Sequence, residues 1–124
     1  MIRVSYDKPR NVVVIEFLGT VTPADGEQFF LDAEHVLPKC GNGFAVLTDI
    51  SGLDRIEPDV KDAIARSMDL LNSHGVKKVV RVIPDPAKDI GFNILSIFHY
   101  DKDVMIMTVE SREEGWERLR KTNG

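Results

Sequence analysis

The pattern of apolar and polar positions along the chain predicts alternating strands and helices. Five apolar runs, rich in β-branched residues, predict strands over residues 2–6, 12–18, 44–50, 77–83 and 103–109. Apolar residues at helical spacing predict four helices, beginning near residues 22, 57, 87 and 111. A short turn joins the first two strands and predicts an antiparallel hairpin, whereas the later strands alternate with helices and favour parallel crossovers. The expected fold is therefore α/β, in the order ββαβαβαβα, with a mixed, mostly parallel five-stranded sheet.

Signals at the ends of the predicted helices refine their positions. Thr22 is a suitable N-cap for the first helix, and residues 57–59 place acidic groups at the start of the second, after a loop expected over residues 51–56. Gly75 is a suitable C-terminal cap for the second helix. Residues 111–114 have the spacing of a capping box, which predicts the start of the last helix.

The composition and net charge of the chain limit the classes of protein to which it can belong. The chain has 124 residues, of which 43% are hydrophobic and 29% charged, and this predicts one globular domain over residues 1–124. The net charge of −4 weighs against nucleic-acid binding, which requires a clustered basic face. The single cysteine, Cys40, excludes an internal disulfide, and the sequence has neither a leader pattern nor an apolar stretch long enough for a membrane span. We therefore expect a cytoplasmic protein.

Residues that usually carry catalysis do not form a recognisable pattern. His35, His74 and His99 have no ligand spacing, so the sequence predicts no metal site. Cys40 has no flanking cation and no second cysteine nearby, which weighs against a reactive thiol. The chain also lacks a glycine-rich phosphate loop and a nucleophile elbow. We accordingly predict no catalytic residues, no cofactor and a non-enzymatic function.

Charged and polar residues are expected at the carboxyl ends of the third and fourth strands and at the start of the second helix. In open α/β sheets this edge is where ligands bind, so these residues form a candidate rim for a partner or ligand. The alternative is a solvated edge with scattered charge. The rim residues are Asp49, Ser51, Asp54, Arg55, Glu57, Asp59, Asp85 and Lys88.

The predicted helix over residues 87 to about 99 has apolar side chains on two faces. A helix that packs on a sheet needs only one apolar face, and a surplus of apolar surface usually marks an interface or a groove. Three explanations remain open: a homodimer surface, burial beneath the terminal helix with Trp116, or a pocket for a lipid-like ligand. The residues concerned are Ile90, Phe92, Ile94, Leu95 and Phe98.

Three segments of the sequence resemble a known family. The third predicted strand ends in TDISGL at residues 48–53, and the next helix opens with EPDV at residues 57–60. This arrangement resembles the STAS domains of the anti-sigma-factor antagonists. The ending SREEGWERL at residues 111–119 is similar to the broader SpoIIAA-like (STAS/SEC14-type) group of bacterial proteins. The resemblance implies a STAS-like fold and a role in regulation through contact with a protein partner.

The sequence departs from the family at the residue that matters most to its regulation. The resemblance places the serine that is phosphorylated in the antagonists at Pro58, which has no hydroxyl group. Glu57 and Asp59 beside it either imitate a permanent charge or simply favour a helix N-terminus. The leading hypothesis is therefore a STAS-like interaction module without a phosphorylatable serine, with a homodimer expected. The alternative is a carrier of a small apolar ligand, as the SEC14 part of the resemblance implies.

Overall fold

The computed structural model describes residues 1–83 and 99–121, and only the backbone of residue 121. The α-helices and strands are β1 (Ile2–Asp7), β2 (Val12–Val21), α1 (Pro23–Val36), β3 (Ala45–Ile56), α2 (Lys61–Ser73), β4 (Lys78–Val82), β5 (Met105–Val109) and α3 (Arg112–Lys121). Short 3₁₀ helices occupy Leu37–Lys39 and Pro58–Val60. The predicted helix over residues 87 to about 99 lies outside the described residues except at its end. Seven predicted site residues also lie outside the described residues: Asp85, Lys88, Ile90, Phe92, Ile94, Leu95 and Phe98.

The five strands form one sheet in the order β1-β2-β3-β4-β5. β1 and β2 pair antiparallel, with Val4 opposite Ile15, and all other neighbouring strands pair parallel. This topology confirms the predicted mixed, mostly parallel five-stranded α/β fold. Because every parallel connection advances by one position, β1 and β5 are the two edges of the sheet in the part of the chain that the structure describes.

The sheet is covered on both faces. On one face, alternate strand residues such as Ile15 and Val46 pack against α1 and α2 in a continuous apolar core. On the other face, Leu47 and Val80 pack with Leu119 of α3. This alternation explains why β3 and β4 read as unbroken apolar runs in the sequence, as strands buried on both faces do.

The end of β3 differs from the prediction. The expected loop over residues 51–56 is wrong: β3 continues to Ile56 and pairs with a β2 strand that itself runs on to Val21. Two register shifts, between Glu16 and Leu18 and between Gly19 and Thr20, accommodate this extension. Such irregularities break the simple alternation of apolar and polar residues, which is why the pattern suggested a loop.

The helix ends agree with the capping signals in most respects. Thr22 and Asp25 form a reciprocal capping box at the start of α1. Gly75 has φ +86° and ends α2, with the amide of Val76 donating to the carbonyl of Leu71 at 3.3 Å. The predicted opening of the second helix at residues 57–59 is a 3₁₀ turn, and α2 itself begins at Lys61. A proline at the first position of that turn is compatible with either helix type.

Candidate functional site

The carboxyl end of β3 projects beyond its neighbour β4. Pairing between β3 and β4 stops where Asp49 lies opposite Val82, whereas pairing with β2 continues to Ile56. Residues 50–56, more than half of β3, therefore have a strand neighbour on only one side within the described residues. We call the segment from residue 54 to residue 59, which comprises the end of β3 and the start of the 3₁₀ turn, the β3 edge.

The β3 edge carries exposed charges. Asp54, Arg55 and Asp59 are exposed, and Glu57 is half-buried. Within the described part of the chain, none of these four side chains takes part in a salt bridge or a side-chain hydrogen bond. The edge is anchored through the backbone instead, because the amide of Glu57 donates to the carbonyl of Val21 at 3.0 Å. Four of the predicted rim residues thus lie within six consecutive positions of the chain, at the end of β3 and the start of the turn.

Asp49 is not part of this exposed rim. Its side chain is only 6% exposed and points to the face of the sheet that α3 covers. The carboxylate accepts hydrogen bonds from the amide of Ser51 at 2.9 Å, from the Ser51 hydroxyl at 2.6 Å and from Arg112 Nε at 2.7 Å. The sequence placed Asp49 at a ligand rim, but the structure shows it held by groups of the chain itself.

Arg112, the first residue of α3, joins two strands of the sheet. Besides Asp49 on β3, it reaches Glu16 on β2 at 3.2 Å, and Glu16 in turn lies 3.7 Å from Arg3 on β1. Glu16 and Asp49 are direct neighbours in the sheet register, so Arg112 separates two carboxylates that would otherwise repel each other. Sequence reasoning missed Arg112 and Glu16. The one available signal was a glutamate within an otherwise apolar strand.

The titration of Asp49 reflects this environment. Burial by itself raises the pKa of the Asp49 carboxyl group, but the hydrogen bonds from Ser51 and the charge of Arg112 outweigh it. The pKa of Asp49 consequently lies below its ordinary value of 3.8. The carboxylate is therefore ionised at neutral pH, where it pairs with Arg112.

A second set of buried polar atoms was not anticipated from the sequence. The Tyr100 hydroxyl and the Lys78 ammonium group are buried, and neither has a hydrogen-bond partner with normal geometry among the described residues. Burial raises the pKa of Tyr100 to about 12, although Thr48 and Arg81 oppose that rise. Burial also lowers the pKa of Lys78. Lys78 is the first residue of β4, whereas Tyr100 lies outside the strands, near Thr48 and Arg81.

Neither a metal-binding cluster nor a membrane-spanning helix is found among the described residues. No group of three or more histidine, cysteine, aspartate or glutamate side chains is placed to hold a metal ion there. None of the helices in residues 1–83 and 99–121 has the length and apolar character needed to cross a bilayer. The features of the site are therefore the β3 edge and, beside it, the cluster of Asp49, Ser51, Arg112 and Glu16, in which only Asp49 is buried.

Comparison with known proteins identifies the fold through structure rather than through sequence. No protein-family model matches the chain, and no curated protein matches it in sequence. Solved structures do match over nearly its whole length, and the fold is that of SpoIIAA-like proteins. The chain is thus a STAS-like, SpoIIAA-like α/β domain in its fold.

Three of these structures illustrate the likeness. The anti-sigma factor antagonist SpoIIAA, in its unphosphorylated form, shares 15% identity with a TM-score of 0.65, over 97% of this chain and 98% of that one. A SpoIIAA-like protein of the DUF3478 family from Shewanella loihica shares 17% identity with a TM-score of 0.67, over 96% and 92% of the two chains. RsbS from Moorella thermoacetica, in a variant in which glutamate replaces a serine, shares 18% identity with a TM-score of 0.65, over 98% and 97%. At these identities the likeness concerns the fold.

Proposed function

We propose that this protein is a non-enzymatic, cytoplasmic regulatory module of the STAS type that works by binding a protein partner through the β3 edge. The observation that carries the proposal is the group of exposed Asp54, Arg55 and Asp59 and half-buried Glu57, whose side chains make no salt bridge or hydrogen bond among the described residues. Charges that serve no structural purpose are available to a partner, and such charges chiefly set specificity and the rate of association. The likeness in fold to SpoIIAA, an anti-sigma factor antagonist, supports this role.

The same proposal holds that the module is not switched by phosphorylation at the start of its second helix. Pro58 opens the 3₁₀ turn there and has no hydroxyl group. The nearest hydroxyl in the preceding strand, that of Ser51, is engaged with the Asp49 carboxylate at 2.6 Å. Glu57 and Asp59 on either side of Pro58 supply a constant negative charge where the antagonists would gain one.

Reversing charge on the β3 edge tests the binding surface. We expect the double variant Asp54→Lys/Asp59→Lys to bind a partner captured by the wild-type protein from its own cells about tenfold more weakly or worse, measured with both purified proteins. The matched control Glu34→Lys/Asp69→Lys makes the same change in net charge at exposed positions on α1 and α2 and should bind like the wild type. Equal binding by the two double variants would place the contact elsewhere. Retention of a lipid-sized mass in native mass spectrometry would instead favour a carrier of an apolar ligand.

Incubation with an anti-sigma-type serine kinase tests the absence of a phosphoswitch. We expect the intact mass of the wild-type chain to stay unchanged, because the helix start presents Pro58 in place of a serine. The variant Pro58→Ser restores a hydroxyl at that place and should gain the mass of one phosphate. A phosphate on the wild-type chain at Ser51 would refute the proposal, as would a Pro58→Ser variant that the kinase leaves unmodified.

A further inference from the structure

Strand β5 is an edge strand with exposed apolar side chains. Met105 is 53% exposed and Ile106 is 40% exposed, and the two lie on opposite faces of the sheet because they are consecutive in the strand. No residue of β5 is charged. The other edge, β1, carries Arg3 and Asp7, which is the usual protection of an edge against pairing. In the described part of the chain, β5 therefore lacks the charged side chains that protect β1 against pairing.

The backbone of β5 is also available for pairing. Met105 donates to the carbonyl of Lys77, and Val109 accepts from the amide of Ile83. Odd-numbered residues of β5 thus face β4, so the amide and carbonyl groups of Ile106 and Thr108 point away from the sheet. An unpaired row of this kind is satisfied by another extended strand.

We propose that β5 pairs antiparallel with β5 of a second copy of this chain, which joins two sheets into one. We infer a second copy as the partner because the strand is complementary to itself when it pairs antiparallel. With Ile106 opposite Ile106 of the second copy, each Met105 faces a Met107, so apolar side chains meet on both faces of the junction. The β1 edge of another copy would instead bring Arg3 and Asp7 against this apolar strand.

Charges at the two ends of β5 favour this antiparallel register. Lys102 lies in the turn before β5, and Glu110 directly follows the strand. Antiparallel pairing centred on Ile106 brings Lys102 of each copy beside Glu110 of the other. The arrangement has two-fold symmetry and therefore closes as a dimer rather than growing into a filament. It is independent of the β3 edge, which lies at the carboxyl end of a different strand.

Sedimentation of the full chain over a range of micromolar concentrations tests the pairing. We expect the wild type to form a dimer and Ile106→Lys to raise the dissociation constant by about tenfold or more, since a lysine on an edge strand opposes pairing. Leu31→Lys is the matched control, because Leu31 is 56% exposed on α1, and this variant should dimerise normally. Thr108→Pro provides a second variant that removes an outward-facing amide without breaking the ladder to β4. A monomeric wild type, or a dimer unaffected by Ile106→Lys and Thr108→Pro, would overturn the proposal.

Two further variants test the register. In a Cys40→Ser background, Ile106→Cys should form an intermolecular disulfide on oxidation, because residues opposite each other in a hydrogen-bonded antiparallel pair have Cα atoms about 5.5 Å apart. Lys102→Glu and Glu110→Lys should each weaken the dimer, and the double variant should restore it. A double variant as weak as the single ones, together with no disulfide, would show that β5 does not pair in this way.

Discussion

Replacing Arg112 by methionine should destabilise the fold by about 2–3 kcal/mol at neutral pH. The guanidinium group compensates the Asp49 carboxylate, which is 6% exposed, and its removal leaves that charge buried with only Ser51 as a hydrogen-bond donor. Breaking a fully buried pair in this way costs about 3–5 kcal/mol, and we expect less here because Arg112 is itself 42% exposed and screened by solvent. Urea unfolding of the wild type and the variant at pH 7 measures the difference.

The pH dependence of this loss of stability tests the role of the Asp49 carboxylate more specifically. The folded-state pKa of Asp49 is lowered, so the ionised carboxylate stabilises the wild type above the ordinary aspartate pKa of 3.8, and this contribution disappears as the pH falls through the lowered value. Without Arg112, burial of Asp49 is opposed only by Ser51, and the pKa of the carboxyl group rises. The stability difference between wild type and Arg112→Met should therefore shrink as the pH falls from neutral to below the ordinary aspartate pKa of 3.8.

Two further variants separate this effect from a general loss of surface charge. Arg118 lies in the same helix and forms an exposed ion pair with Glu114 at 3.8 Å, so Arg118→Met should cost less than about 0.5 kcal/mol. In the double variant Asp49→Asn/Arg112→Met the buried charge is gone, and it should be more stable at pH 7 than Arg112→Met alone. Equal costs for Arg112→Met and Arg118→Met, or a difference that does not change with pH, would contradict this account of the cluster.

Replacing Gly115 by valine should destabilise the protein by about 3 kcal/mol, because α3 lies close against the sheet at this residue. A Cβ atom at position 115 would lie 2.9 Å from Leu47 Cδ1 and 3.4 Å from Val80 Cγ1, and both of these side chains are fully buried. The two additional methyl groups of valine have no space, so the helix must move away from β3 and β4. Thermal and urea unfolding measure the loss.

The control for Gly115→Val is the same residue type placed on the exposed side of α3. Arg120→Val introduces a β-branched residue into the same helix without a steric conflict, and it should cost less than about 1 kcal/mol. Gly115→Ala should fall between the two, because alanine improves helix propensity but still presses on Leu47. A Gly115→Val variant as stable as Arg120→Val would show that α3 packs differently on the sheet.

The fold could be predicted in class and order, but the prediction was wrong where pairing overrides local pattern. Residues 51–56 contain Ser51, Gly52 and Asp54, which are typical of a loop, yet they continue β3 because β2 extends alongside them. Gly52 is part of this pairing: a Cβ atom there would lie 2.7 Å from Leu18 Cδ2 on β2, so the glycine leaves room for that side chain. Pairing between strands that are this far apart in the chain leaves no local pattern of apolar and polar residues.

Only part of the geometry around the candidate rim could be expected from the sequence. Asp54, Arg55, Glu57 and Asp59 lie close together because they are near one another in the chain. Asp49 was expected with them, but its side chain points to the other side of the strand end, where Arg112 meets it from 63 residues away. That a partner binds Asp54, Arg55, Glu57 and Asp59 stays a prediction.

The sequence by itself determined the α/β class, the order of the described strands and helices, and most of the helix caps, because these depend on the period of apolar residues and on a few neighbouring side chains. Only the tertiary structure decided that Asp49 is a buried anion, that Gly115 allows α3 to approach the sheet, and that β5 is an exposed apolar edge. Each of these depends on which surfaces meet. Such contacts join residues that are distant in the chain, so no local pattern of apolar and polar residues encodes them.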